Sequence, residues 1–439
     1  MKATLEHEDL LHTTAELVLD EARKKGAEPV ETWVRRNTMT EIYYEAQKIS
    51  MVRTVFSDEV SLKVLKNQKK GSLEVNSFQK AAIQDAVAEA LDSADSAAAD
   101  DAEGVAEAQE AASFAHGPQK LDLESMYKLM DDFFRESRKR YPKVNWDGVT
   151  VSHNHTEHVY ANSNKVRLAE SKGYYDFGGM IIARDGDKSS SFNGFGGAFL
   201  EPDLALIEQD GVDRALREVS EQIETGQVQG KFVGEVILPP YMLEEILFSV
   251  NALFLSDISL IAGTSIWKDK LGAQVANPML NWAITPEDKK LANRSALTRD
   301  GYVAKDMSVI KDGILQNFVL SRYGAAKTGG KRAGNLASNF VIQAGQEKVK
   351  DMISSVKQGI ILNRFSGGNP SQNGDMTGVA KNSYLVEDGK IVGPISETMI
   401  STNIADLLMR ISALSEETES GGSVRLPWAK VGGVTVSGK

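Results

Sequence analysis

The stretch V-S-H-N-H-T-E-H-V-Y-A-N, Val151 to Asn162, gathers His153, His155 and His158, three of the six histidines in the chain, around Glu157. Imidazoles at this density raise the possibility of a metal site. The spacing works against it: on a strand, His153 and His155 share one face while His158 points to the other, so convergence on one ion needs a turn inside the motif. A solvent-facing hairpin carrying no metal fits the same residues, and no fourth ligand announces itself elsewhere.

Other chemistry-bearing patterns come close and miss. G-A-A-K-T-G-G-K, Gly324 to Lys331, has a glycine where a phosphate-binding loop needs its lysine, and Arg332 follows Lys331 in place of Ser or Thr. G-F-G-G-A-F, Gly194 to Phe199, lacks the third glycine of a dinucleotide fingerprint. Glu244 and Glu245 are adjacent on a predicted helix and diverge by about 100°, which reads as a solvated face. No G-x-S-x-G elbow occurs, and with no cysteine thiol catalysis, disulfides and sulfur-ligated zinc are all excluded. F-S-G-G-N-P-S-Q-N-G-D-M-T-G, Phe365 to Gly378, is the longest candidate binding loop; a plain mobile connection has the same composition.

These residues must be held by a chain of 439 residues, long enough for two or three domains, and a hydrophobic content of 41% supplies each with a core. The net charge of −11 has the wrong sign for a partner made of phosphates, so direct nucleic-acid binding is not expected. Charged residues interrupt the N-terminal stretch and no apolar run is long enough to span a membrane, which predicts a cytoplasmic protein with no membrane partner.

Residues 9–25 place Leu10, Leu11, Ala15, Val18, Leu19 and Ala22 at helical spacing ahead of Gly26. From Pro29 to Val75 short alternating segments (V-E-T-W-V, E-I-Y-Y-E, V-S-L-K-V-L, S-L-E-V) predict antiparallel strands, and Ser77 is placed to cap a second helix through Leu91. Residues 93–119 are Ala-rich and acidic, predicting a frayed helix or linker. Helices are expected over Leu121–Tyr141 and about Asp203–Glu224, with strands over Val149–Phe195. G-Q-V-Q-G, Gly226 to Gly230, marks the best domain boundary, giving an N-terminal α+β region, 1–229, with a sub-boundary in 93–119, and a β-rich domain, 230–439. In the second, G-E-V-I-L-P-P leads a strand into a helix with Met242, Leu243, Ile246, Leu247 and Val250 buried; I-K-D-G-I-L and V-E-D-G-K-I read as hairpins, and a last helix is expected over Asn403–Leu414.

Several segments together resemble the TldD/PmbA family in order and spacing: V-S-L-K-V-L-K-N-Q-K-K-G-S-L-E-V-N-S-F, L-T-R-D-G-Y-V-A-K-D-M-S-V-I-K-D-G-I-L-Q-N-F-V-L-S-R-Y-G-A-A-K, R-A-G-N-L-A, and S-Y-L-V-E-D-G-K-I-V-G-P-I-S-E-T-M-I-S-T-N-I-A-D-L-L-M-R-I. The resemblance implies an α+β fold, with N-terminal antiparallel sheet and flanking helices, a C-terminal domain rich in curved antiparallel strands, and dimers that enclose a cavity. In that family, TldD-like chains carry H-E-x-x-x-H on a helix after a V-V-L-type strand, plus a C-terminal cysteine, holding a catalytic zinc. Setting V-I-L of this chain on that strand puts the motif positions at Phe248, Ser249 and Leu253, none of which can bind zinc or take a proton.

The resemblance therefore implies the PmbA/TldE branch: a subunit without a catalytic or metal residue of its own, paired with a TldD-like partner that supplies zinc, in a metalloprotease acting on unfolded peptides. Gly334 and Asn335, from R-A-G-N-L-A, match a family segment near the peptide cleft. His153, His155 and His158, lying well upstream of the metal helix, become a local surface feature. The rival reading is a non-enzymatic homodimer that binds peptides or modulates another protein, in keeping with the family's older description as modulators of DNA gyrase.

Overall fold

Two sheets organise the chain, and the period of the apolar residues explains how each is covered. The computed structural model describes residues 2–45, 48–209, 211–286, 288–336 and 339–439, with side chains described from Leu10 onward.

The first helix, α1 (Lys2–Lys24), ends before Gly26, whose φ of +76° supplies the left-handed residue that closes a helix. Three strands follow, β1 (Val30–Glu45), β2 (Lys48–Lys66) and β3 (Lys69–Val75), then α2 (Lys80–Ser96). The turn between β2 and β3 is made by Asn67 and Gln68, both at positive φ, as a tight hairpin requires. After β4 (Ala112–His116) and α3 (Leu123–Arg140) come the long strands β5 (Val144–Asn162) and β6 (Arg167–Asp185), then β7 (Lys188–Ser189) and β8 (Asn193–Phe199). The strand order is β3-β2-β1-β5-β6-β4, antiparallel except for β4 on β6, with β7 and β8 also pairing with β6.

This sheet has an apolar and a polar face. Val30, Val34, Val60, Leu62, Val64, Val159 and Ala161 pack under α1 and α2, and Ile42, Val149, Val151, Tyr175, Phe177 and Ile181 under α3 and α4 (Val212–Glu221). Each such large side chain contributes about 1.5–3 kcal/mol on burial. The alternate residues of the central strands, among them Arg35, Asn37, Ser152, Asn154, Thr156, Glu170, Lys172 and Asp176, form the opposite, polar face.

A second sheet of 13 strands, curled and largely antiparallel, is built from β9 (Lys231–Leu238) onward. At its centre Arg425–Ser437 pairs with β9, with Ile411–Ser420, with Thr398–Asn403 and, parallel, at Val341. Helix α5 (Pro240–Val250) buries Met242, Leu243, Ile246, Leu247 and Val250 in the core beneath it, with Trp267 and Trp282. Both predicted D-G hairpins are present: Asp312 with Gly313 and Asp388 with Gly389 have positive φ between paired strands. The fold is α+β, as expected.

Several expectations need correction. The segments V-E-T-W-V and E-I-Y-Y-E are one continuous strand, because the polar residues between them are paired on both sides, by β2 and by β5. Residues 93–119 are not a frayed linker: Ala102, Val105 and Ala106 are buried, and Ala112–His116 becomes a strand parallel to β6. Ser77 does not cap α2; its hydroxyl accepts from the Gln79 amide, and the helix starts after Gln79. The 203–224 segment, apart from Asp210 outside the described residues, splits into a 3-10 turn, Leu206–Glu208, and α4. The last helix is only Ile404–Met409; Ile411 to Ser420 turns into a strand because Arg425–Ser437 offers it a full ladder.

Candidate functional site

Strand β9 ends at Leu238, and the two prolines that follow set the start of α5, with Pro240 in the first turn where its missing N–H costs nothing. The helix turns Tyr241, Glu244, Glu245, Phe248 and Ser249 away from the core and then widens into a π-helical turn, Asn251–Leu255. Phe248 is 46% exposed and lies against Phe340, ring centroids 5.1 Å apart. The Ser249 hydroxyl donates to the Glu245 carbonyl at 3.0 Å, and Leu253 packs on the core. Benzyl, hydroxyl and isobutyl groups offer no imidazole or carboxylate, so these three positions do not fit a catalytic zinc. Among the described residues no group of three His, Cys, Asp or Glu side chains is arranged to hold an ion.

Glu244 and Glu245 are not the solvated face that their divergence suggested. Both sit in the junction between the two sheets: burial, with the neighbouring Glu245 charge, pushes Glu244 up to about 7, and burial raises Glu245 against the pull of Tyr241 and Arg364. Glu244 opens on a cleft of about 120 Å³ whose far wall is α4, with Arg214 and Glu218. Arg214 stacks 5.0 Å over Trp428, pairs with Glu419 at 2.7 Å and lies 3.7 Å from Glu218. Burial raises Glu218 to about 7 in spite of that arginine. Two carboxyls near neutrality across one cleft can hold or exchange a proton at physiological pH.

Gly334 and Asn335 lie in another part of the second sheet's surround. The Gly334 carbonyl accepts from the Lys305 amide at 3.0 Å, and a Cβ there would meet only ordinary contacts, so the position does not demand glycine. Asn335 is 2% exposed; its Oδ1 accepts from Leu336 N at 2.7 Å and its Nδ2 has no partner. Ala337, the last residue of R-A-G-N-L-A, and Ser338 are outside the described residues. Phe340, five residues beyond Asn335, is the residue that touches Phe248.

The histidines lie along one arm of the antiparallel β5–β6 pair and away from its connecting turn; His153 and His158 are buried and His155 is half-buried. All three lie in the middle of β5, which runs through the motif without a turn. His153, 4% exposed, donates from Nε2 to the Pro118 carbonyl at 2.9 Å and packs on Tyr175; His155 Nε2 is 3.0 Å from Gln119 Oε1 and 3.1 Å from Ser171 Oγ. Burial lowers the pKa of both. His158, on the polar face, packs edge-on against Trp33 and approaches Glu170, Nε2 to Oε2 3.0 Å, outside hydrogen-bonding geometry. Three-fold convergence is thus ruled out by the parity that the sequence showed.

The remaining loops are structural. Gly324–Lys331 is mostly the helix Arg322–Thr328, capped by Ser321, and Gly194–Phe199 lies within β8. Phe365–Gly378 folds as a hairpin between Arg364–Gly367 and Asp375–Lys381, its turn tied by Ser371, Asn373 and Asp375. Arg214, Glu218 and Glu419 went unnoticed in the sequence; the one signal was Glu218 set between Leu216 and Val219 in an otherwise apolar stripe.

Residues 230–438 match the family model described as the PmbA/TldA metallopeptidase C-terminal domain. Over 401 residues, 85% of this chain and 85% of the relative, the sequence is 25% identical to metalloprotease PmbA of Escherichia coli O157:H7. A stretch of 173 residues is 31% identical to the metalloprotease TldD homolog of Haemophilus influenzae, spanning 36% of this chain and 35% of that protein. The fold is similar to TldE from Thermococcus kodakarensis, with a TM-score of 0.85 over 97% of this chain and 100% of that one at 19% identity.

Proposed function

Because the chain belongs to the TldD/PmbA family, we propose that it is the PmbA/TldE-type subunit of a two-component metalloprotease, in which a TldD-like partner supplies both zinc and base. The observation that carries this is the chemistry of α5 and the turn after it: Phe248 and Ser249 on the helix and Leu253 in the π-helical turn occupy the positions aligned with H-E-x-x-x-H and lack every group that the chemistry needs.

In this reading the chain shapes the chamber and holds the substrate. An unfolded peptide binds as an extended strand, so that main-chain hydrogen bonds supply affinity and few side chains are read. We place Gly334 and Asn335 beside that peptide, the buried Asn335 fixing the local backbone through its Oδ1, which accepts from Leu336 N.

The experiment compares cleavage of an unstructured peptide by this chain alone, by a TldD-like partner alone and by the two mixed. Cleavage found only, or far more strongly, in the mixture supports the proposal. Chelator-sensitive cleavage by this chain alone sinks it, and no cleavage under any of the conditions leaves the peptide-binding homodimer as the better reading.

A further inference from the structure

On the polar face of the first sheet, where residues 293–296 of the C-terminal half close over it, lies an open corner of about 440 Å³. Its floor is Thr156 and His158 on β5; Arg35 and Asn37 rise from β1 on one side and Lys172 from β6 on the other. With strands about 4.8 Å apart, Arg35 and Lys172 are rooted roughly 10 Å from each other, and both side chains can reach one group between them.

The corner is rich in hydrogen-bond donors, and the acids at its edge are already engaged. Glu170 accepts from the Ala296 amide at 2.6 Å and from Ser295 Oγ at 3.0 Å, with His158 beside it. Burial raises its carboxyl, but His158, then the Ala296 amide and the charge of Lys172, outweigh that and hold it below the usual range. Glu59 faces Arg35 at 3.6 Å, an ion pair without a hydrogen bond.

Lys172 gives one proton to Asn293 Oδ1 at 3.0 Å and keeps two more. The Thr156 hydroxyl donates to Asn37 Oδ1 at 2.8 Å, which uses the oxygen of that amide and leaves its NH2 as the remaining group. Ser57 and Tyr174 add hydroxyls. Lys172 is held below its ordinary pKa by burial and by the charge of Arg35, against the pull of Glu170. Two cations brought toward each other over a polar floor, with more donors than acceptors, are what an oxyanion ligand satisfies.

We propose that this corner is an oxyanion-binding site, taking a carboxylate or phosphate group between Arg35 and Lys172 with Asn37 and Ser57 as neutral donors. The proposal goes beyond the subunit reading above and asks nothing of a partner or of cleavage.

Isothermal titration of the full chain is done with three probes: inorganic phosphate, trialanine as the free acid and trialanine amide. Binding of the free acid but not the amide identifies a carboxylate ligand, and tighter binding of phosphate identifies a phosphate group; either supports the site. Arg35→Gln and Lys172→Gln should each weaken that binding by about tenfold or more. Arg35 is partly exposed and its variant keeps the fold even if the Lys172 variant does not. Failure of phosphate and free acid alike to bind, equal binding of acid and amide, or an unchanged affinity in Arg35→Gln overturns the proposal.

Discussion

Glu218→Gln should stabilise the protein at alkaline pH and do almost nothing in acid. Glu218 is 4% exposed on α4, and burial is the main reason its pKa stands at about 7 in place of 4.5, with Arg214 recovering only part of the loss. One pH unit corresponds to about 1.4 kcal/mol, so keeping this carboxylate charged in the folded state costs about 3 kcal/mol. The folded pKa lies above the unfolded one, so folding binds the proton more tightly. The wild type therefore loses stability as pH rises from about 4.5 to about 7 and is level beyond. Glutamine has the shape of the neutral acid and carries no charge to lose.

Denaturant unfolding at pH 4 and pH 8, followed by tryptophan fluorescence because Arg214 lies over Trp428, measures the difference. Glu218→Gln should be more stable than wild type by about 3 kcal/mol at pH 8 and by under about 0.5 kcal/mol at pH 4. A variant that is less stable at pH 8 would refute the reasoning, since the attraction between Arg214 and Glu218 would then exceed the cost of burial. So would a gain of equal size at both pH values.

Two more outcomes follow from the junction between the sheets. Gly301→Ala should cost at least about 3 kcal/mol in the same unfolding assay, since Gly301 has a φ of +85° and an added Cβ would collide with the fully buried Tyr160 ring. Glu170→Gln should cost about 1–3 kcal/mol at pH 7, where the carboxylate accepts from Ala296 and Ser295. Because its folded pKa is depressed, that contribution is present above the unfolded value and lost as pH falls through the folded one, so variant and wild type should converge in melting temperature in acid.

Local patterns were legible where a local cause fixes the conformation. The D-G turns at Asp312 and Asp388 need positive φ, and Leu121–Tyr141 keeps its stripe of Met126, Leu129, Met130 and Phe133 on one buried side. Where the cause lies far along the chain the reading failed. Nothing near Ala112 reveals that it will pair in parallel with Leu168, and the spacing of Leu407, Leu408, Ile411 and Leu414 suits a helix until the ladder with Arg425–Ser437 competes for it. The candidate site divides the same way. That Phe248, Ser249 and Leu253 lack ligand chemistry is a property of side chains and is visible in letters, whereas the raised carboxyls of Glu218 and Glu244 arise from burial between elements that only the fold brings together.

The strand Arg425–Ser437 is the spine of the second sheet, bonded to β9, some 190 residues earlier in the chain, and to three other segments. During synthesis this sheet can therefore not close until Arg425–Ser437 has left the ribosome. Until then β9 and Ile411–Ser420 present unmatched edges, a period in which the nascent chain is exposed to mispairing and most in need of a chaperone.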